Sequence, residues 1–205
     1  VLNGSKVFIT NAQYADIFVV FAMVYRDDYK EKPYTNQDIS AFIIEKGFEG
    51  FSVQGHEMKM GIRGSSTCSL YFDNCIVPKE NLLGEQGKVF KIAMTTLDGG
   101  RIGIAAQAIG IAQGAINETV AYTKERVQFG KPIWKFQNTQ FQLADMATKV
   151  EAAKLLVYKA AMKKAEYAAG AKVSYSVEAA MAKLYAAEVA MEVTTKCVQL
   201  HGGYG

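Results

Sequence analysis

The rhythm of hydrophobic and polar positions changes near residue 86. Before it, apolar residues come in short β-branched and aromatic runs: Val7-Phe8-Ile9-Thr10, Ile17-Phe18-Val19-Val20-Phe21 and residues 39–45. Such runs suit the pleated, half-buried surface of a strand. Residues 67–73 alternate, with Leu70 and Phe72 on one side. The opening Val1-Leu2-Asn3-Gly4-Ser5-Lys6 reads as polar turn material. Residues 25–38 are polar and hold Pro33, which predicts a loop, while Gly47, Gly50, Asp73-Asn74 and Pro78 predict turns. Several short strands at this spacing predict a small sheet, sandwich or barrel.

After residue 86 the period becomes helical. Phe90, Ala93, Met94 and Leu97 share one face, and Asp98-Gly99-Gly100 is expected to interrupt that helix. A second helix is predicted over residues 101–126. Its Gly103, Gly110 and Gly114 each cost roughly 1 kcal/mol against alanine, which close approach of another backbone would offset. The segment Gln128-Phe129-Gly130-Lys131-Pro132 is a loop by its Gly and Pro. A third helix, over residues 138–168, carries an apolar stripe of Phe141, Ala144, Met146, Val150, Ala153, Val157 and Ala160. A fourth, over residues 176–200, has Ala180, Leu184, Ala187 and Met191 as its inner positions, and Gly202-Gly203 stops it in the manner of a C-cap. Long helices joined by short loops pack antiparallel as a bundle. The pattern therefore gives an α+β chain, with a β domain over residues 1–85 and a helical domain over residues 86–205.

Composition narrows the function classes. Half of the 205 residues are hydrophobic, enough for one sizeable core or two smaller ones. A net charge of +3 without a block of like charges gives no reason to expect nucleic acid. The apolar stretch of residues 102–116 is broken by Gln107 and Gln113. It falls short of the roughly 20 apolar residues of a membrane span, so a buried core helix is expected and no membrane span. Cys68, Cys75 and Cys197, with only His56 and His201 beside them, have no metal-ligand spacing. They read as small core residues in a reducing, cytoplasmic setting. The opening has no signal-peptide pattern, and both ends fall in mid-architecture, as in an internal piece of a longer chain.

No dinucleotide-binding glycine fingerprint, Walker-type loop or nucleophile elbow is present. Two segments could meet a phosphate. One is Lys124-Glu125-Arg126 with Gln128 and Gly130-Lys131, since arginine binds phosphate through two parallel N–H donors. The same charges also suit an ordinary helix C-terminus. The other is Gly202-Gly203-Tyr204-Gly205, whose glycines let backbone amides approach an anion or simply end a helix.

Five segments in order resemble the acyl-CoA dehydrogenase family, its short-chain (butyryl-CoA) members above all. They are Phe8-Ile9-Thr10-Asn11, residues 60–67 (Met-Gly-Ile-Arg-Gly-Ser-Ser-Thr), residues 90–105, Arg126-Val127-Gln128-Phe129-Gly130-Lys131, and Gln199-Leu200-His201-Gly202-Gly203-Tyr204-Gly205. The resemblance implies that residues 1–85 are part of the family's middle β-sandwich or barrel domain. Residues 86–205 would then be most of its antiparallel four-helix bundle. It implies FAD as cofactor, held between those domains and across a subunit interface. Phe8, Ile9 and Thr10 would lie at the flavin ring, with Phe8 standing where the family has tryptophan and Thr10 bonding near N5. Arg126 and Gln128, with Phe129, would reach the pyrophosphate of a neighbouring subunit's FAD. Phe136, Gln137, Gln199, Gly202 and Gly203 would touch the same cofactor. Asp98 and Arg101 match positions that contact the acyl-CoA, with a salt bridge as the plain alternative, and Asn36 matches one near the CoA adenine.

The implied reaction is α,β-dehydrogenation of a short-chain acyl-CoA, with hydride passing to FAD and then electrons to an electron-transfer flavoprotein. A homo-oligomer, a dimer of dimers, is implied, in the cytoplasm or a mitochondrial matrix. The family's catalytic glutamate matches no residue here. Its minority position on the bundle helix is Gly100, so no catalytic residue is assigned and these residues alone are expected to be inactive. An acyl-CoA oxidase or flavin monooxygenase of the same fold, or a non-catalytic helical interaction module, are the competing readings.

Overall fold

The computed structural model describes Val1 to Gly205 except Tyr29, a position of the expected 25–38 loop that lies outside the described residues. The chain divides into two compact units, Val1–Ala93 and Met94–Gly205.

The first unit is two three-stranded antiparallel sheets. Strand β1 (Leu2–Thr10) pairs with β5 (Thr67–Cys75), which pairs with β4 (Phe51–His56). In the other sheet β2 (Ile17–Met23) pairs with β3 (Ile39–Glu45), and β3 with the short β6 (Leu82–Leu83). Alternation explains the core: Phe18 and Val20 of β2 are buried while Ile17 and Val19 face out. Phe18, Phe51 and Phe72 form a ring cluster, with centroids 4.9 and 5.1 Å apart, and Ile44, Leu70, Cys68 and Cys75 complete it. Burial pushes the Cys75 thiol above its ordinary value, as a core cysteine requires.

Three details differ from the sequence pattern. Residues 2–6 are strand and not turn, because pairing with β5 overrides their polar composition. Asp73-Asn74 lie inside β5, where Asn74 takes a φ of +50° and its amide N–H donates to the Asn3 side chain at 2.7 Å. Strand β4 follows the predicted Gly50 turn without a strongly alternating pattern of its own.

The second unit is built on three helices: α1 (Phe90–Glu125), α2 (Gln137–Ala168) and α3 (Ser176–His201). Asp98-Gly99-Gly100 does not interrupt α1. Asp98 is held there by side-chain bonds, and its flanking turns carry the helix through two glycines. The expected first and second helices are thus one. Contacts fix the directions: Lys149 of α2 meets Glu192 of α3 and Asp145 meets Lys196, so these helices are antiparallel. Tyr175 bonds Thr95 at one end and Tyr122 bonds His201 at the other, so α1 and α3 run parallel. Small residues line the seam, with Ala112, Ala153, Ala160, Ala179, Ala182 and Ala186 buried around Met146, Val150 and Val193.

The buried faces correct part of the pattern. Phe141 and Ala144 of α2, and Ala180, Leu184 and Met191 of α3, are exposed, as are Met94 and Leu97 of α1. Both α2 and α3 carry apolar residues on two faces, and the smaller side chains were drawn into the helix seam. Nothing stands within 4 Å of a Cβ built at Gly103, Gly110 or Gly114, so within the described residues no backbone approaches there. Among the described residues no helix is long and apolar enough to cross a membrane.

Candidate functional site

The two expected phosphate-binding segments meet in the second unit. Tyr122 lies in the last turn of α1 and Arg126 directly follows it, its N–H still donating to the Tyr122 carbonyl at 2.9 Å, so the two share a helix face. The Tyr122 ring stacks on His201, and its hydroxyl donates to the His201 carbonyl at 3.1 Å. The Arg126 guanidinium lies 5.6 Å from the centroid of Tyr204, an arrangement held by the ring quadrupole. Gly202, at φ +62°, turns the chain out of α3, and Gly205 N–H closes that turn on the Gly202 carbonyl at 3.1 Å. A Cβ at Gly202 or Gly203 would meet nothing within 4 Å, so that backbone is open to a ligand. Beside it a cavity of about 380 Å³ is lined by Glu118, Thr194, Cys197, Val198, His201 and Tyr204 among others.

After α1 the chain makes a two-residue hairpin. Val127–Gln128 (β7) pairs with Lys131–Pro132 (β8), and Phe129 and Gly130 both have positive φ, +51° and +76°. That geometry matches the turn favoured between twisted strands. A phenylalanine in the left-handed region is strained by roughly 1–2 kcal/mol, and Phe129 is also 91% exposed. Its ring stands perpendicular to Phe136 at 6.3 Å, and Lys131 Nζ sits 4.3 Å from the centre of the Phe136 ring. Phe136 leads into Gln137, the first residue of α2, and Gln128, Gln137 and Gln199 are exposed.

In the first unit, Phe8 repeats this combination. The register of β1 against β5 shifts between Lys6 and Ile9, a bulge that gives Phe8 a φ of +56° and leaves it 71% exposed. Bulges re-aim side chains and concentrate at functional edges. Ile9 and Thr10 line a cavity of about 490 Å³ with Lys6, Ala12, Ile17 and Phe18. Asn36 is exposed in a short 3₁₀ turn that Thr35 and Asp38 cap reciprocally. Arg26 braces that loop through its ion pair with Asp38 at 2.8 Å.

The remaining pair, Asp98 and Arg101, lies one turn apart on α1 and forms an ion pair. The Ser176 hydroxyl also donates to Asp98. Burial, with Asp98 and Tyr167 nearby, pushes the adjacent Tyr175 hydroxyl above its ordinary value. The structure thus joins Arg126 to the Gly202–Tyr204 turn and Phe129 to Phe136. The sequence had not singled out Tyr122 or Ser176, and had named Tyr204 only as part of the glycine turn. Only the four-residue spacing of Tyr122 and Arg126 pointed that way.

Taken separately, the residue types of each unit fit a part of a dinucleotide flavin. Arg126 and Lys131 supply cations, the glutamines supply amides, the Gly202-Gly203 backbone is open, and Phe8 offers an exposed aromatic face. Among the described residues no cluster of His, Cys, Asp and Glu could hold a metal ion.

Two family profiles match the chain: "Acyl-CoA dehydrogenase, middle domain" over residues 1–75 and "Acyl-CoA dehydrogenase, C-terminal domain" over residues 87–205. The chain belongs to the acyl-CoA dehydrogenase family. It is 58% identical over its whole length to the short-chain specific acyl-CoA dehydrogenase of Clostridium acetobutylicum, covering 51% of that protein. It is 50% identical, again over its whole length, to the acryloyl-CoA reductase (NADH) of Anaerotignum propionicum, covering 49% of that protein. The solved butyryl-CoA dehydrogenase of Megasphaera elsdenii superposes with a TM-score of 0.89 at 55% identity, over 98% of this chain and 50% of that one. The chain spans about half the length of the curated relatives it matches.

Proposed function

We propose that this chain is the flavin- and substrate-positioning part of a short-chain acyl-CoA dehydrogenase. The observation that carries the reading is the pairing of strain with exposure at Phe8 and Phe129, two of the three aromatic residues the family resemblance assigns to the cofactor. FAD, when bound, supplies a two-electron acceptor for the hydride leaving the acyl chain. Phe8, Ile9 and Thr10 bear on its ring. Arg126, Gln128, Phe129, Phe136, Gln137, Gln199, Gly202 and Gly203 hold its pyrophosphate-bearing part in a homo-oligomer. Arg126 does so as a preoriented cation, since Tyr204 limits where its guanidinium goes before any phosphate arrives. Arg101 meets the polar and anionic part of the acyl-CoA, and Asn36 lies at its adenine. An electron-transfer flavoprotein takes the electrons onward. No residue placed here removes the substrate's α proton.

The test is to express the complete gene and measure bound FAD and butyryl-CoA oxidation with a dye acceptor, then repeat with Arg126→Ala. Bound FAD with turnover, and a roughly tenfold weaker FAD Kd in the variant, is the expected result for loss of a charge-assisted phosphate contact. Unchanged FAD affinity in Arg126→Ala would remove Arg126 from the site. Turnover by the 205 residues alone would overturn the assignment of no catalytic residue here. A second reading, that the physiological direction is enoyl-CoA reduction, is favoured by the similarity to an acryloyl-CoA reductase. Rates measured in both directions with the natural acceptor or donor separate the two.

A further inference from the structure

Asp98 and Arg101 resemble substrate-contacting positions as a pair, yet their environments differ sharply. Asp98 is only 7% exposed. Its Oδ1 accepts from Arg101 Nη1, and its Oδ2 accepts from the hydroxyl of Ser176, the first residue of α3. The adjoining Tyr175, 5% exposed, donates its hydroxyl to the Thr95 carbonyl at 3.1 Å. The start of α3 is therefore fastened to α1 at the carboxylate and again three residues before it. The Arg101 side chain, by contrast, is 46% exposed. A guanidinium has five N–H donors, so bonding through Nη1 leaves others for a ligand. Each carboxylate oxygen could accept a further bond, but Asp98 is buried with a partner already on each oxygen, so it presents little surface to a ligand, and displacing either partner would be costly.

We infer that Asp98 is a positioning residue and not an acyl-CoA contact: anchored by Ser176, it fixes the Arg101 guanidinium, and Arg101 alone meets the acyl-CoA. This rests on the reading of Arg101 as an acyl-CoA-binding residue. Its chemical basis is preorganisation. An arginine on a flexible stem loses rotamer freedom when it binds, and an ion pair that already holds the fork removes part of that cost.

The experiment is a double-mutant cycle in the FAD-loaded product of the complete gene, read as the Kd of crotonyl-CoA by calorimetry. Arg101→Ala is expected to weaken binding about tenfold or more, as for loss of a charge-assisted contact. Asp98→Asn is expected to weaken it by a smaller factor, and Ser176→Ala to act in the same direction. In an Arg101→Ala background, Asp98→Asn should then have no further effect, because its role runs through the guanidinium. Effects that multiply would mean Asp98 touches the ligand itself, and the inference would be overturned. An unchanged Kd for Ser176→Ala, which keeps the carboxylate and the helix, would also overturn it. An unchanged Kd for Arg101→Ala is a separate failure: it would remove the reading of Arg101 on which the inference stands.

Discussion

The ring of Tyr122 lies against that of His201, centroids 4.4 Å apart and planes within 21°, and its hydroxyl donates to the His201 backbone carbonyl at 3.1 Å. This joins the last turn of α1 to the last turn of α3, where carbonyls run out of intrahelical partners. His201 Nδ1 is 2.8 Å from the Cys197 carbonyl, so the same residue holds its own helix end. The glycine turn and Arg126 both depart from this clasp.

Tyr122→Phe keeps the stacked ring and removes the one hydroxyl. It should lower stability by roughly 0.5–1.5 kcal/mol, the usual net worth of such a bond. The urea midpoint measures it, with an unchanged m-value expected. A midpoint equal to wild type would show that water replaces the hydroxyl without loss.

Asp145, Lys149, Glu192 and Lys196 form a ring of ion pairs across α2 and α3, at 2.7 to 3.1 Å. Hydrogen bonds from Lys149, then Lys196, hold the Asp145 and Glu192 carboxyls below their ordinary values. Bonds to Glu192, then Asp145, raise both lysines. A carboxylate depressed in the folded state stabilises fully above its unfolded value of about 4 and loses that contribution as pH falls through the folded value. A raised lysine stabilises fully below about 10.4 and loses its contribution as pH rises through the folded value. Stability should therefore be level between these limits and fall outside them. Lys196→Met should unfold earlier than wild type at neutral pH, and the gap should close in acid and narrow in high salt. Denaturant midpoints across pH test this; a gap that persists in acid would assign the loss to packing of the lysine stem.

The division into a β part and a helical part was legible because the two periods, near 2 and near 3.6, differ so plainly on either side of residue 86. The family resemblance was legible because it is carried by short local strings. The buried face of α2 was legible at Met146, Val150, Ala153, Val157 and Ala160, but that of α3 was not. Phe141, Leu184 and Met191 are larger and more apolar than Ala153, Ala182 and Ala186, yet the alanines fill the seam. Closely packed helices select small residues, and that preference depends on the partner helix and not on hydrophobicity along the chain. The Asp98-Gly99-Gly100 break failed for a related reason. Local propensity favours a stop there, while the contacts of Asp98 lie 3 and 78 residues away, and only the shorter separation shows in the helical pattern. Of the candidate site, the sequence marked Arg126 and the Gly202-Gly203 turn as separate segments, and the structure sets Arg126 against Tyr204 of that turn. Strain at Phe8 and Phe129 was not legible, since φ is set by the bulge and hairpin around them.

Gly50 and Gly47 flank the same turn before β4, and the sequence marked both equally. Only Gly50 has positive φ, +79°, and a Cβ built there would stand 2.2 Å from the Asp73 carbonyl oxygen and 2.9 Å from Cys75 backbone atoms. The Asp73 N–H meanwhile donates to the Gly50 carbonyl at 2.8 Å, so the turn cannot back away without breaking a bond to β5. Gly50→Ala should therefore cost more than about 1 kcal/mol, through both the left-handed φ and the collision. At Gly47 nothing lies within 4 Å of the added carbon and its φ is not in the left-handed region. Gly47→Ala should leave the thermal midpoint close to that of wild type. Parallel melts of the two variants read the contrast directly. Equal midpoints would mean that the end of β5 yields to the extra methyl, and the close approach at Gly50 would then not be a constraint on this sheet.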